Sequence, residues 1–444
     1  MITDRSYSKS KLKKQEGTNS IMKMNGTETR AGGLKNLQDS NFTPPSLYTG
    51  IISFFISAVM LQCTIFSADK ISETASVKNT VHLLLPPAVY AVSGVETNIY
   101  FDNIILAPNS WNYLFDVDCS HGRQDRERWR YFPEDKDVGK FPLSIKVFDA
   151  ENHLLAQAST TVYVSQKDAG QGKKISLLLI GDSLTDASIY PEELYRMFKE
   201  KGNPEVKFIG TYSGSGKPSE EGKPSHEGYS GWTWAKFCTR WVENPSACIY
   251  KMGNSPFVFM KSAKQELDFK AYCDKNNNGK APDYIIVFLG TNDCFNAKDM
   301  NIDATIDNIF KYADLLIGEF RKVGPNTKIA VTLIPPPVAT QDGFGQSYNC
   351  GQTRWQYRKN QHRLLERMIE KFKGREKGEI FIVPVYLNID CINNYPKKEE
   401  QINARNPKRI IRDANCVHPA KEGYYQIADS FYSWLKYELN QKGI

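Results

Sequence analysis

The chain is expected to be an α/β protein, a five-stranded parallel sheet between two helical layers, preceded by a small all-β sandwich. Three observations predict this. From Lys174 onward an apolar run followed by a helix-period segment recurs five times. Between about Val77 and Ser165 the pattern is short, alternating and broken by turn residues, with no helix-period segment. Finally, the segments that follow the predicted strands collect a serine, glycines, an asparagine and a histidine, although they lie far apart in the chain.

In chain order, residues 1–68 form a leader. Eight Lys or Arg against four Asp or Glu lie before Ser40, and Ser40 to Ala68 carries no charge. The apolar stretch LYTGIISFFISAVMLQCTIF, Leu47 to Phe66, follows that basic region and is trailed by small residues, so an export signal is favoured over a retained membrane anchor. Met22 or Met24 as the start would leave a leader of more ordinary length. Gln62 before Cys63 is a poor fit to a lipidation site. Residues 69–165 supply the strands TVHLLL, TNIYFDNIIL, WNYLFDV, FPLSIKVFDA and LLAQASTTVYVS, the β-sandwich domain. The polar run QKDAGQGKK, centred on 166–173, reads as a linker.

Residues 174–444 hold the strand–helix units. KISLLLIG is followed by PEELYRMFKEKG, with Pro191 early in the helix and Gly202 as its stop. EVKFIGTY leads to TWAKFCTRWV, and DYIIVFLG to a helix in which Ile306, Ile309, Ala313, Leu316 and Phe320 share one face. KIAVTLIPPP precedes RWQYRKNQHRLLERMIEKFKG, and IFIVPVYL precedes EGYYQIADSFYSWLKYELN. Parallel strands all end on one side of their sheet, so GDSLTD, HEGYSGWT, GTNDCFN and DANCVHPAKEGYY are expected to gather there.

Composition narrows the function classes. The formal charge is +7, yet from Asp69 onward it is only about +3 once the leader is set aside, with no basic stripe or nucleic-acid motif. No nucleic-acid partner is expected, and membrane contact only through the N-terminal segment. Cys119, Cys238, Cys248, Cys273, Cys294, Cys350, Cys391 and Cys416 permit disulfides in an exported chain but show no zinc spacing, so neither a metal nor a cofactor is expected. DKNNNG, Asp274 to Gly279, matches the first half of a calcium loop but has Ile285 where the closing Glu belongs, and reads as a polar surface loop.

A serine hydroxyl becomes a nucleophile only when a base takes its proton, and acyl transfer needs donors aimed at the developing oxyanion. Ser183 supplies the hydroxyl. His418 is the best-placed of six histidines, and His226 and His362 receive no role. The backbone N–H groups of Ser183 and Gly231 and the Asn292 amide are suitable oxyanion donors. The less favoured alternative is that Asn292 and Asp293 merely cap a turn or helix and Gly231 merely permits a tight turn.

GDSL at Gly181 to Leu184, SGWT at Ser230 to Thr233, GTND at Gly290 to Asp293 and VHP at Val417 to Pro419 stand in the order of the four blocks of the GDSL or SGNH hydrolases, which the region from Lys174 to Ile444 resembles. The resemblance implies the flavodoxin-like three-layer SGNH fold, with Ser183 as nucleophile, His418 as general base and then acid, and Ser183, Gly231 and Asn292 as the oxyanion hole. HEGYSGWT behind a β-rich N-terminal region is similar to the branch of carbohydrate esterases that deacetylate polysaccharides. In one place the chain departs from the family: Asn415 stands where it usually has Asp, three residues before the histidine. Three readings are open: Asn415 orients His418, Asp413 reaches it instead, or the site is crippled.

The expected function is therefore an exported serine esterase that removes small acyl groups, acetyl above all, from an acylated carbohydrate. The alternatives are a lysophospholipase or thioesterase, and a non-catalytic carbohydrate-binding protein. The Gly-, Gln- and Pro-rich loop at 335–355 favours a polar substrate, and Trp232, Trp234, Tyr348, Trp355 and Tyr357 are candidates to stack on sugar rings, with core packing equally expected of each.

Overall fold

The computed structural model describes residues 81–214, 219, 222–243, 253–348 and 350–441. The leader, its apolar stretch, Cys63 and Cys248 lie outside them. Among the described residues no helix is long and apolar enough to cross a membrane.

The central sheet has the strand order Glu205–Ile209, Lys174–Gly181, Tyr284–Phe288, Lys328–Thr332, Ile380–Val383, and every neighbouring pair is parallel. Leu177, Leu178, Leu179 and Ile180 are fully buried, which is why this strand shows no polar alternation. The order reverses at Lys174–Gly181, between it and Tyr284–Phe288, so its carboxyl end opens into the crevice where such sheets bind ligands. A sixth strand escaped the pattern: Glu227–Gly228 pairs with Ile180–Gly181, beyond the end of Glu205–Ile209. Two residues are too few to show a period.

Helix Ile189–Lys199 and the C-terminal helix Lys421–Asn440 form one group. Helices Ile302–Val323, Trp234–Thr239 and Arg354–Phe372 form the other. The face predicted for Ile302–Val323 is the one it buries, and Gly324 caps its end. The strand Ile380–Val383 stops at Pro384, which passes the chain into a single 3₁₀ turn, Val385–Asn388.

The β-rich region consists of a four-stranded sheet, with Ala88–Val92 parallel to Leu154–Ser165 and then Gly139–Phe148 and Leu114–Asp118, and a three-stranded sheet of Thr97–Tyr100, Arg128–Tyr131 and Arg123–Gln124. Aromatic rings pack between them: Tyr131 lies edge-on against Phe141 at 5.6 Å, and Phe101, in the short helix Phe101–Ile104 that follows Thr97–Tyr100, stacks on Phe115 at 4.5 Å.

The expected boundary at 166–173 is not a boundary of packing. Lys78–Ile444 form one compact unit. The polar run is held by the C-terminal helix, where Lys436 Nζ donates to the Ala169 carbonyl at 2.6 Å and Lys173 Nζ to the Leu439 carbonyl at 2.9 Å. Tyr437 packs against Tyr90 and Tyr163 of the four-stranded sheet. Composition alone gave no sign of this, because each contact ends on a backbone carbonyl, that of Ala169 or of Leu439.

A buried polar seam completes the union. The Arg358 guanidinium, 2% exposed, donates to the carbonyls of Asp102, Asn103 and Ile105 at 2.8, 2.9 and 3.0 Å, while Asn103 Nδ2 donates to the carbonyls of Tyr386 and Ile389. Arg358→Met would leave those three carbonyls without a donor. Urea unfolding is expected to show a loss of roughly 2–3 kcal/mol, the cost of orphaned buried acceptors. An unchanged midpoint would mean that the seam adds nothing to stability.

Candidate active site

Ser183 begins a single helical turn directly after the strand Lys174–Gly181. Gly181 permits that sharp exit, since a Cβ there would lie 1.9 Å from Thr185 Oγ1. The Asp182 side chain caps the turn by accepting from the Leu184 N–H at 3.0 Å.

His418 stands just before the C-terminal helix, and the Ser183 hydroxyl lies 2.7 Å from its Nε2. Asn415 Oδ1 lies 3.3 Å from Nδ1 of the same ring. The amide orientation has a structural cause: the backbone N–H groups of Val417 and His418 both donate to Asn415 Oδ1, at 3.1 and 2.9 Å, and only the oxygen can accept. Oxygen facing Nδ1 requires the proton on Nδ1, which leaves Nε2 as the acceptor for the serine proton. Burial pushes the His418 pKa below its usual value, so the ring is neutral at neutral pH.

Asp413 is not part of this line. It pairs with Lys397 and accepts from Thr340 Oγ1, at the end of the antiparallel hairpin Lys397–Asn403 and Asn406–Asp413, where Lys397 and Asp413 are register partners. The reading in which Asp413 orients His418 is therefore corrected: the hairpin carries its carboxylate to a cation instead.

Two expected oxyanion donors are open. The N–H groups of Ser183 and Gly231 have no acceptor among the described residues. Gly231 holds φ +76°, a left-handed conformation that favours glycine, and a Cβ there would project into open space. Asn292 Nδ2 points instead at two protein acceptors, Asp182 Oδ2 at 3.2 Å and the Trp232 carbonyl at 3.1 Å, both long contacts.

The segments brace one another. Asp293 Oδ1 accepts from the Trp234 N–H at 3.1 Å at the start of helix Trp234–Thr239, so it does cap a helix, one from a different segment. Burial raises Asp293, and likewise Asp182, to about 7. Glu227, overlooked in the sequence, is fully buried and accepts from the hydroxyls of Thr211, Tyr229 and Tyr272, while burial raises its pKa. The Tyr229 N–H donates to the Gly181 carbonyl at 3.0 Å, fastening the Gly231 loop beside the nucleophile strand.

Of the aromatic candidates, Trp232, Trp234 and Tyr357 are about 1% exposed and cannot meet a sugar. Trp232 stacks on Tyr229 at 4.4 Å. Tyr348 is exposed and Trp355 half-buried. His226 Nδ1 accepts from the Gly228 N–H and its Nε2 meets Ser188 Oγ at 2.6 Å, and burial lowers its pKa to about 4, a neutral structural histidine. His362 is likewise buried. In the expected polar loop, Asn277 Oδ1 accepts from Lys207 Nζ. The seven described cysteines are free thiols.

Residues 177–431, more than half of the chain, match the GDSL-like lipase/acylhydrolase family. The chain belongs to this family. Among solved structures, this GDSL-like acylhydrolase is similar to an acetyl xylan esterase (15% identity over 59% of this chain and 100% of that one, TM-score 0.32). It is also similar to a carbohydrate acetylesterase from Sinorhizobium meliloti (13%, 59% and 98%, 0.31) and to a lipase/acylhydrolase from Enterococcus faecalis (12%, 60% and 96%, 0.30). No curated protein matches it.

Proposed function

We propose that this GDSL-like acylhydrolase is an exported serine esterase that removes acetyl groups from carbohydrate. The observation that carries the chemistry is the line from Asn415 Oδ1 through the His418 ring to Ser183 Oγ, at 3.3 and 2.7 Å. His418 Nε2 takes the hydroxyl proton as Ser183 Oγ attacks the ester carbonyl, and the oxyanion is met by the N–H groups of Ser183 and Gly231 and the Asn292 amide. His418 then gives the proton to the departing sugar hydroxyl. Water, deprotonated by the same ring, releases acetate and restores Ser183.

An open setting supports a bulky substrate that carries a small acyl group. Ser183, Asn292 and His418 are half-buried and Gly231 is exposed, so the scissile carbonyl is reached from the surface. The HEGYSGWT segment behind a β-rich region supports carbohydrate as the alcohol part. Export rests on the apolar stretch from Leu47 to Phe66.

The test is acetate release from acetylated polysaccharides, beside a chromogenic ester series from acetyl to octanoyl. Acetyl is expected to lead octanoyl by at least roughly tenfold in kcat/KM, since each methylene that lacks a pocket loses its contribution. Ser183→Ala is expected to release nothing. A preference for octanoyl would replace this reading with the lipid-type one, and a parent chain inert on every ester would leave the binding protein.

A further inference from the structure

A cavity of about 540 Å³ has neither Ser183 nor His418 in its lining. The β-rich region supplies one wall, from Tyr100 to Glu127, and the other comes from Ala339, Thr340, Arg354 and the turn Asp390–Ile392. Its size falls within the roughly 300–1,000 Å³ of small-ligand sites. We propose that it is a binding cleft for a carbohydrate chain, separate from the catalytic serine, an inference that builds on the carbohydrate reading above.

The lining carries the choice of ligand. Trp111, 48% exposed, and Leu114, 61% exposed, are large apolar side chains left in solvent, and Tyr113 joins them. The Arg126 guanidinium lies 4.3 Å from the Trp111 ring centre, over one face of the ring, and leaves the other face to a ligand. Around the aromatic floor stand the planar charged groups of Asp102, Arg126, Glu127, Arg354 and Asp390. A pyranose has an apolar C–H face that lies on an aromatic ring and a rim of hydroxyls that bonds to carboxylate and guanidinium groups. Asp102 and Arg354 pair with each other at 3.2 Å and Asp390 accepts from the Ile392 and Asn393 N–H groups, but a lipid tail would still strip water from Arg126 and Glu127 without repayment. The cavity therefore favours sugar.

The cavity is also coupled to the catalytic line through one short loop. Ala339 and Thr340 line it, while the neighbouring Val338 N–H donates to the Cys416 carbonyl at 3.0 Å, beside Asn415. A polysaccharide held here is tethered to the same wall that braces His418.

The experiment uses Ser183→Ala protein, so that binding is read without turnover, in affinity gels containing xylan, glucomannan, cellulose derivative or pectin. Retardation by at least one polymer is expected, and Trp111→Ala added to Ser183→Ala should abolish it. In the otherwise native chain, Trp111→Ala should lower kcat/KM on the acetylated form of that polymer by about tenfold, a central aromatic anchor's share, with chromogenic acetyl ester turnover unchanged. Unchanged ester turnover also shows that the variant folds. Retardation that survives Trp111→Ala, or no retardation by any polymer, overturns the cleft. Binding lost with Trp111 in a protein that deacetylates no polysaccharide keeps the cleft and overturns the proposed reaction instead.

Discussion

Asn415→Leu is expected to lower kcat on an acetyl ester by roughly 10³–10⁴-fold, the scale on which a triad loses activity when its histidine is left in the wrong tautomer. The amide is the group that selects the Nδ1–H form, because two backbone N–H groups keep its oxygen turned toward the ring. Leucine also orphans those two donors, so Asn415→Asp is the companion variant: it keeps an acceptor for both N–H groups and adds a charge. A carboxylate at that distance favours the imidazolium and should raise the His418 pKa by about one unit or more. His418 must be neutral to take the serine proton. In the native chain its burial-lowered pKa places the acidic limb of kcat/KM below the ordinary histidine value of about 6.5, and Asn415→Asp should move that limb upward. Imidazolium formed in the transition state would also be better stabilised, so kcat at pH 8 should rise. A pH profile identical in both proteins would show that Asn415 does not govern the ring.

The same residue shows how far the sequence could be read. Ser183, Gly231, Asn292 and His418 were legible because each ends a strand–loop segment, and parallel strands must deliver those segments to one side. Asn415 against Asp413 was not, because the choice depends on the hairpin from Lys397 to Asp413. Its strands are polar and largely exposed, so no apolar alternation announces them. Once paired, Asp413 faces Lys397 sixteen residues upstream, a relation that only register reveals. Glu227 was hidden for a similar reason: its partners Thr211 and Tyr272 lie 16 and 45 residues away, and a buried carboxylate looks like a surface one until they are brought together. The β-rich region was legible as strands but not as part of a larger core, since Arg358 and Asn103 join it to the hydrolase through backbone carbonyls that leave no trace in residue type.

Asn292→Ala is expected to reduce kcat by about 10²–10³-fold with KM little changed, the cost of one oxyanion donor. Without substrate, both protons of the amide already have partners, Asp182 Oδ2 and the Trp232 carbonyl, and this arrangement can be read in two ways. If the amide is only a structural strut, removing it should loosen the Gly231 loop and the turn of Ser183 together, which would raise KM and lower the unfolding midpoint. If it is a donor held in readiness, the proton it gives to the neutral Trp232 carbonyl at 3.1 Å is the one a charged oxyanion can take, because hydrogen bonds to ionised acceptors are shorter and roughly twice as strong. Asp182 then acts as the positioning group. Burial raises its pKa to about 7, and Asp182→Asn keeps an acceptor for the Leu184 N–H while weakening its hold on Asn292. A fall in kcat confined to Asn292→Ala, with Asp182→Asn losing about tenfold or less, fits the donor. Equal losses in KM and stability for both variants would make Asn292 a strut and leave the oxyanion to the two backbone N–H groups of Ser183 and Gly231.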